Sequence, residues 1–125
     1  MVYNSLEEAE VDHDQVNFYG MIIDASYPYK TPNKFICTLK VVDASMNSLG
    51  SDVNKNFKFA TVIVYAKRLE DCPIVRKIGD CIRCHRASVK EYKGQKQFHV
   101  NCQFNSSWCL FTTSQEHAYQ EGQDA

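Results

Sequence analysis

Between residues 16 and 111 apolar and polar positions alternate with the two-residue period of a pleated strand, in runs bounded by Pro, Gly, Asn and Asp. The first run spans 16–25 and contains Gly20, a residue that inside a strand marks a bulge or sharp coil. A turn-like stretch with Tyr27, Pro28, Tyr29 and Lys30 leads to a second run over 34–43. Here Phe35, Cys37, Leu39 and Val41 alternate with Lys34, Ile36, Thr38 and Lys40, so the first set should face a core and the lysines solvent. A third run, over 57–67, puts Ala60, Val62, Val64 and Ala66 on one face and Phe59, Thr61, Ile63, Tyr65 and Lys67 on the other. Small side chains suit the interior of a narrow barrel, which directs Tyr65 and Lys67 outward.

The strand pattern breaks over 68–77, where Pro73 as a first-turn residue predicts a short helix over 73–77, closed by Gly79 and Asp80. Two further runs, 81–92 and 95–104, flank a Gly-containing hairpin turn at 92–95. In the second, Phe98, Val100, Cys102 and Phe104 should point one way and Gln97, His99, Asn101 and Gln103 the other. In the first, Ile82 and Cys84 have the opposite parity to Ala87 and Val89, and a bulge near His85 and Arg86 reconciles them. Residues 106–111 form an apolar end piece expected to close the rim. Three strands, a connection with a helical turn and two more strands describe an all-β, five-stranded Greek-key OB-fold barrel with a short helix between strands three and four. Strand count alone also admits a sandwich or an SH3-like barrel.

At 125 residues the chain suits one domain with its own core. The expected division is an acidic N-terminal tail (1–15), the OB-fold domain (16–111) and a flexible C-terminal tail (112–125). The longest apolar stretch, 61–66, is far short of the roughly 20 residues that span a membrane. The acidic stretch 6–14 lacks the basic and then apolar order of a secretory signal. A soluble, intracellular chain without membrane association is expected. The net charge of -1 hides a segregation: all 14 Lys and Arg lie between Lys30 and Lys96, whereas Glu7, Glu8, Glu10, Asp12 and Asp14 precede them and Glu116, Glu121 and Asp124 follow. A basic body between acidic ends suggests a polyanionic partner, although a generic solvated surface gives the same pattern.

Cys81, Cys84 and His85 have the C-x-x-C-H spacing of haem attachment. Positions 81 and 84 fall on opposite faces of a regular strand, however, which argues against a shared ligand. His99, Cys102 and Cys109 add soft ligands for a zinc site, but Cys102 and Cys109 are too widely spaced for a second C-x-x-C pair. The six cysteines lie mostly in apolar runs and are expected as reduced thiols in packing roles. No nucleophile elbow, phosphate-binding loop or metalloprotease helix occurs, so neither an enzyme, nor a metal, nor another cofactor is expected. What remains is an interleaving of aromatic and basic residues on outward positions: Tyr27, Tyr29, Lys30, Tyr65, Lys67, Arg83, His85, Lys90, Tyr92 and Lys93. Single-strand nucleic-acid binders need these types, because bases stack on aromatic faces while Lys and Arg follow the phosphates. Gln97, Asn101 and Ser106 are polar groups able to read base edges.

The segments FYGMIIDASYPYK (18–30), FICTLKVVD (35–43), VYAKR (64–68), LEDCPIV (69–75), GDCIRCHR (79–86), YKGQKQF (92–98) and SSW (106–108) resemble, in order, the first OB domain of the ciliate telomere end-binding alpha subunits and of the protection-of-telomeres family. The resemblance implies an OB fold, a place in the nucleus at chromosome ends, and binding of the G-rich single-stranded telomeric overhang. It also implies a second OB domain in a longer chain and a telomeric partner subunit. Carried over by position, it points to Lys30 as a backbone contact and Tyr65 as a stacking platform; Lys67 joins them from its outward parity alone. The resemblance also points to Arg83 and His85, and to Lys90, Tyr92, Lys93 and Gln97 around the hairpin. Relatives carry aliphatic or aromatic residues in place of Cys81 and Cys84, which favours packing for both. The loop 44–56 is the least family-like part and is given no role. A protein-interaction OB module of a telomere or telomerase complex, without strong DNA affinity of its own, is the alternative.

Overall fold

The computed structural model describes residues 2–46 and 58–112. Seven strands form one sheet: β1 (Val16–Ala25), β2 (Tyr29–Lys30), β3 (Phe35–Val42), β4 (Ala60–Ala66), β5 (Cys81–Tyr92), β6 (Gln95–Asn101) and β7 (Ser107–Phe111). The order β1-β3-β4-β6-β5 closes on itself through β1–β5 pairing, while β2 and β7 add to β3 and β5. All pairings are antiparallel except β4 with β6. The connection from β4 to β5 therefore crosses one end of the barrel before β5 turns back through a hairpin into β6. This is the closed five-stranded OB barrel.

The interior follows the parity expected from the strand pattern. Cys37, Leu39, Val41, Ala60, Val62, Val64, Ala66, Ile82, Cys84, Ala87, Val89, Phe98 and Val100 are all buried. Phe18 and Phe98 meet at its centre, with ring centroids 4.6 Å apart. Gly20 stands where β1 passes from β3 to β5, and a Cβ there would lie 3.0 Å from the Val42 carbonyl oxygen. The register shifts on both sides of it, between Ile22 and Asp24 and between Val16 and Phe18. Arg86 takes up the second shift in left-handed backbone (φ 58°), so Cys84 and Ala87 both face inward. At the β5–β6 hairpin Lys93 (φ 51°) and Gly94 (φ 78°) adopt the two positive φ values of a tight turn whose twist matches the strands.

Two local expectations are corrected. Residues 73–77 are not helical; the single 3₁₀ turn between β4 and β5 is Leu69–Asp71. The Cys72 N–H closes that turn on the Leu69 carbonyl, and Pro73 is buried just beyond it. Nor does β6 continue inward to Phe104: it ends at Asn101, whose carbonyl accepts from the N–H groups of Phe104, Asn105 and Ser106. The chain turns there and leaves Phe104 80% exposed. Beyond Phe111 only Thr112 of the expected C-terminal tail is described, and most of the 44–56 loop also lies outside the described residues.

Residues 2–15, expected as a tail, pack on the barrel. Leu6 and Ala9 are buried and belong to the core. The Leu6 N–H donates to Asp43 (2.8 Å), and the Lys96 ammonium donates to the carbonyls of Leu6 and Glu7. Further along, the Asp12 N–H donates to Val89 O and the Val89 N–H to His13 O. The acidic side chains disguised this segment as a tail; its anchors are two isolated apolar residues, Leu6 and Ala9, and backbone hydrogen bonds, which charge counting does not register.

Candidate nucleic-acid interface

Residues opposite one another in a ladder share a face, so register defines what the outer surface presents. One row runs Tyr29, Ile36, Tyr65, Asn101 across β2, β3, β4 and β6. The next is Thr38, Ile63, His99, Ser88, and the third is Lys40, Thr61, Gln97, Lys90. A cleft of about 460 Å³ opens on the β4–β6–β5 part of this surface, where Tyr65, Ser88, Lys90, His99 and Asn101 line it from the strands. Arg86, Phe104, Asn105 and Ser106 line one end, and Asp14 and Gln15 form a rim.

At the centre, the Tyr65 and His99 rings lie within 10° of parallel with centroids 5.6 Å apart. The Tyr65 hydroxyl is 2.9 Å from His99 Nδ1, and His99 Nε2 is 3.3 Å from the Gln97 side-chain oxygen. A near-parallel aromatic pair fixed at both ends is a pre-organised stacking surface. Lys34 Nζ sits 4.7 Å from the Tyr65 ring centroid, a cation–π contact. Partial burial, followed by the Lys90 charge, pushes the His99 pKa down. Burial and the neighbouring Tyr29 hydroxyl push Tyr65 up. Near neutral pH both rings are therefore uncharged, and the positive charge of the cleft resides on Lys and Arg. Beyond the cleft, Tyr92 is 58% exposed on the same face of β5 as Lys90, with the Lys93 ammonium 5.4 Å from its ring centroid.

Of the residues singled out in the sequence, Tyr65 and Lys90 line this cleft, Gln97 lies on the same face opposite Lys90 and against His99, and Tyr92 and Lys93 extend the face along the hairpin. Lys67 is exposed just past Tyr65 at the end of β4. Lys30 pairs with Phe35, which places it on the opposite face of β2 from Tyr29. Arg83 and His85 are set apart more decisively. The bulge at Arg86 separates them from Ser88 and Lys90, and they lie on the outer face of β1, β5 and β7, opposite Tyr19, Cys109 and Ser107. There Tyr3 covers them: its hydroxyl lies 2.6 Å from His85 Nε2, and the Arg83 guanidinium sits between the Tyr3 and Phe111 rings at 5.9 and 5.0 Å. Burial first, then Arg86 and Arg83, lower the His85 pKa.

Two residues that line the cleft, His99 and Arg86, and Lys34 over the Tyr65 ring escaped the sequence reading of stacking and charge. His99 stands on the outward parity of β6 between Gln97 and Asn101, and that parity was the signal that could have found it. Lys34 carried no signal beyond outward parity, because its place over Tyr65 depends on the β3–β4 register. The C-x-x-C-H string does not converge on a ligand, since Cys84 is buried in the barrel while Cys81 belongs to the outer face. Burial pushes the Cys37 and Cys102 thiols up to about 11 and raises Cys84 well above the ordinary thiol range, so these thiols stay protonated at neutral pH.

A closed five-stranded barrel with an aromatic pair and lysines on its open face defines an oligonucleotide/oligosaccharide-binding domain. Within that class the chain belongs to the family described as "Telomeric single stranded DNA binding POT1/CDC13", whose sequence model matches residues 1–124. It is 48% identical over 119 residues to the telomere-binding protein subunit alpha of Stylonychia mytilus, covering 94% of this chain and 23% of that protein. It is 42% identical over 125 residues to the subunit of the same name from Sterkiella nova, covering 97% and 24%. The chain thus spans about a quarter of the length of these relatives. Among solved structures it superposes on a Pot1 (protection of telomere)–ssDNA complex with a TM-score of 0.67 at 16% identity, over 87% of this chain and 62% of that one. A replication factor A related protein from Methanobacterium thermoautotrophicum gives 0.60 at 12% identity, over 88% and 91%. These two likenesses speak for the fold.

Proposed function

We propose that this chain is a module that holds the G-rich single-stranded DNA of chromosome ends, with bases stacked on the Tyr65–His99 pair and phosphates beside Lys34, Lys67, Lys90 and Lys93. The observation that carries this is the near-parallel ring pair on the floor of an open cleft, flanked by lysines. Such a floor receives flat, unpaired bases and has no use for a duplex, whose base faces are already stacked. Tyr92 is a second platform further along, while Gln97 and Asn101 supply amides for base edges. Lys30, Arg83 and His85 stand away from this cleft and take no first role in it. The names of the relatives support the telomeric part of the reading, and with it a nuclear location and a partner subunit; their greater length leaves room for a second OB domain in a longer natural chain. Titration with G-rich, C-rich and scrambled single strands, and with the telomeric duplex, at one stated salt concentration tests it. Preference for the G-rich single strand is expected; equal affinity for the duplex would overturn the reading.

A further inference from the structure

The two banks of the cleft differ in charge. On the β3 side, just outside the cleft lining, Lys34 stands over the Tyr65 ring; on the β5 side the N-terminal segment is bonded along Val89 and contributes Asp14 and Gln15 to the rim. This acidic bank is held in place by the Asp12 N–H to Val89 O (2.7 Å) and Val89 N–H to His13 O (2.9 Å) bonds, and bent by left-handed backbone at Asp12 (φ 69°) and Gln15 (φ 63°). Asp12 is committed to Lys90, 3.8 Å away. Asp14 has no ion-pair partner among the described residues, and it faces the space above Lys90 and His99.

An unpaired carboxylate on the rim of a site for a polyanion repels phosphate, unless what approaches it is a hydrogen-bond donor. Phosphates therefore belong beside the lysines and not at this point of the rim, and a base edge points toward Asp14. Of the four DNA bases, guanine alone offers two adjacent donors on its Watson–Crick edge, N1–H and the N2 amino group, which match the two oxygens of one carboxylate. We propose that Asp14 is a specificity-determining residue that selects guanine by accepting from N1–H and N2–H, with the Gln15 amide beside it. The proposal rests on the single-strand reading of the cleft and deepens it.

The experiment is a cycle of wild type and Asp14→Ala against three short strands of equal length: a G-rich strand, the same strand with inosine for guanine (which lacks the N2 amino group), and oligo-dT. Asp14→Ala is expected to weaken the G-rich strand roughly tenfold, as loss of a bidentate base contact does. It should bring the guanine-to-inosine affinity ratio close to one and leave oligo-dT unchanged or tighter. Asp12→Ala frees Lys90 and should tighten all three strands alike, which separates simple electrostatics from base reading. Tighter binding of all three strands by Asp14→Ala, with the guanine-to-inosine ratio unchanged, would overturn the proposal while leaving the single-strand reading intact. Failure of the wild type to bind any single strand would overturn both.

Discussion

The barrel presents two outer faces built from the same kinds of residue, and the chain treats them oppositely. On one, Tyr65 and His99 stand parallel in an open cleft with Lys90 and Lys34 nearby. On the other, Tyr3, Tyr19, Arg83 and His85 have found one another: Tyr3 meets the Tyr19 ring edge-on at 5.6 Å, bonds to His85 and shares Arg83 with Phe111. Aromatic and basic composition is therefore insufficient to mark a binding face. What distinguishes them is whether the chain has already covered the rings: the N-terminal segment lays Tyr3 over His85 and Arg83 on one face, and on the other reaches only the rim of the cleft.

The contrast is broken most severely by releasing that segment. Leu6 is fully buried beneath it, and Leu6→Ala should destabilise the fold by about 2–5 kcal/mol, the cost of a cavity left by a buried leucine. Chemical denaturation measures the loss. Affinity for single strands at temperatures where the variant remains folded should stay within a few-fold of wild type. A tenfold loss would mean that the two faces are not independent.

Next in size is the pair Tyr65→Ala and His85→Ala, one from each face. Tyr65→Ala should cost about 1–3 kcal/mol of single-strand affinity, because it removes a stacking platform. His85→Ala should leave affinity nearly unchanged and lower stability by about 0.5–1.5 kcal/mol, the net worth of one neutral hydrogen bond. Titration and melting of both variants give four numbers; equal affinity losses would erase the distinction between open and covered faces.

Most of the barrel is legible in the sequence, because strand parity is a local signal. The alternation in 34–43 and 57–67 gave the buried set, and the parity conflict between Cys84 and Ala87 located the bulge at Arg86. The helix was displaced because Pro73 satisfies the first-turn preference while being needed, buried, in the crossing connection. The site was legible in part. Tyr65, Lys90 and Gln97 are outward on strands that pair, so parity alone nearly suffices. Arg83 and His85 are outward as well, but parity does not tell which outward face a neighbouring segment covers. Sealing by Tyr3 is a contact over 82 positions, invisible to any local pattern.

A smaller effect sharpens the electrostatic side of the comparison. With roughly three to five phosphates neutralised, log affinity should fall against log salt with a slope of about -2 to -3.5. Lys90→Ala should make that slope shallower by about 0.7, the share of one phosphate on a single strand. Arg83→Ala, on the covered face, should leave the slope unchanged in titrations over a range of salt.

The smallest effect is the response to mild acid, where the two histidines share a direction and differ in consequence. Burial lowers both, assisted by Lys90 at His99 and by Arg86 and Arg83 at His85. Each folded pKa lies below the unfolded value of about 6.5, so the unfolded chain binds more protons in the window between them. The stability contributed by each neutral ring is thus fully present above about pH 6.5 and is lost as the pH falls through the window to the folded pKa. Single-strand binding separates them. Phosphates near the cleft favour the protonated form of His99, so binding takes up a proton there and strengthens modestly as the pH falls toward the folded pKa of that ring. His85, held by Tyr3 away from the strand, gains nothing. Affinity measured at pH 5.5 and pH 7.5 should therefore rise a few-fold toward acid for wild type and His85→Gln, and should lose that rise in His99→Gln. A rise that disappears with His85 instead would put the strand on the face that the N-terminal segment covers.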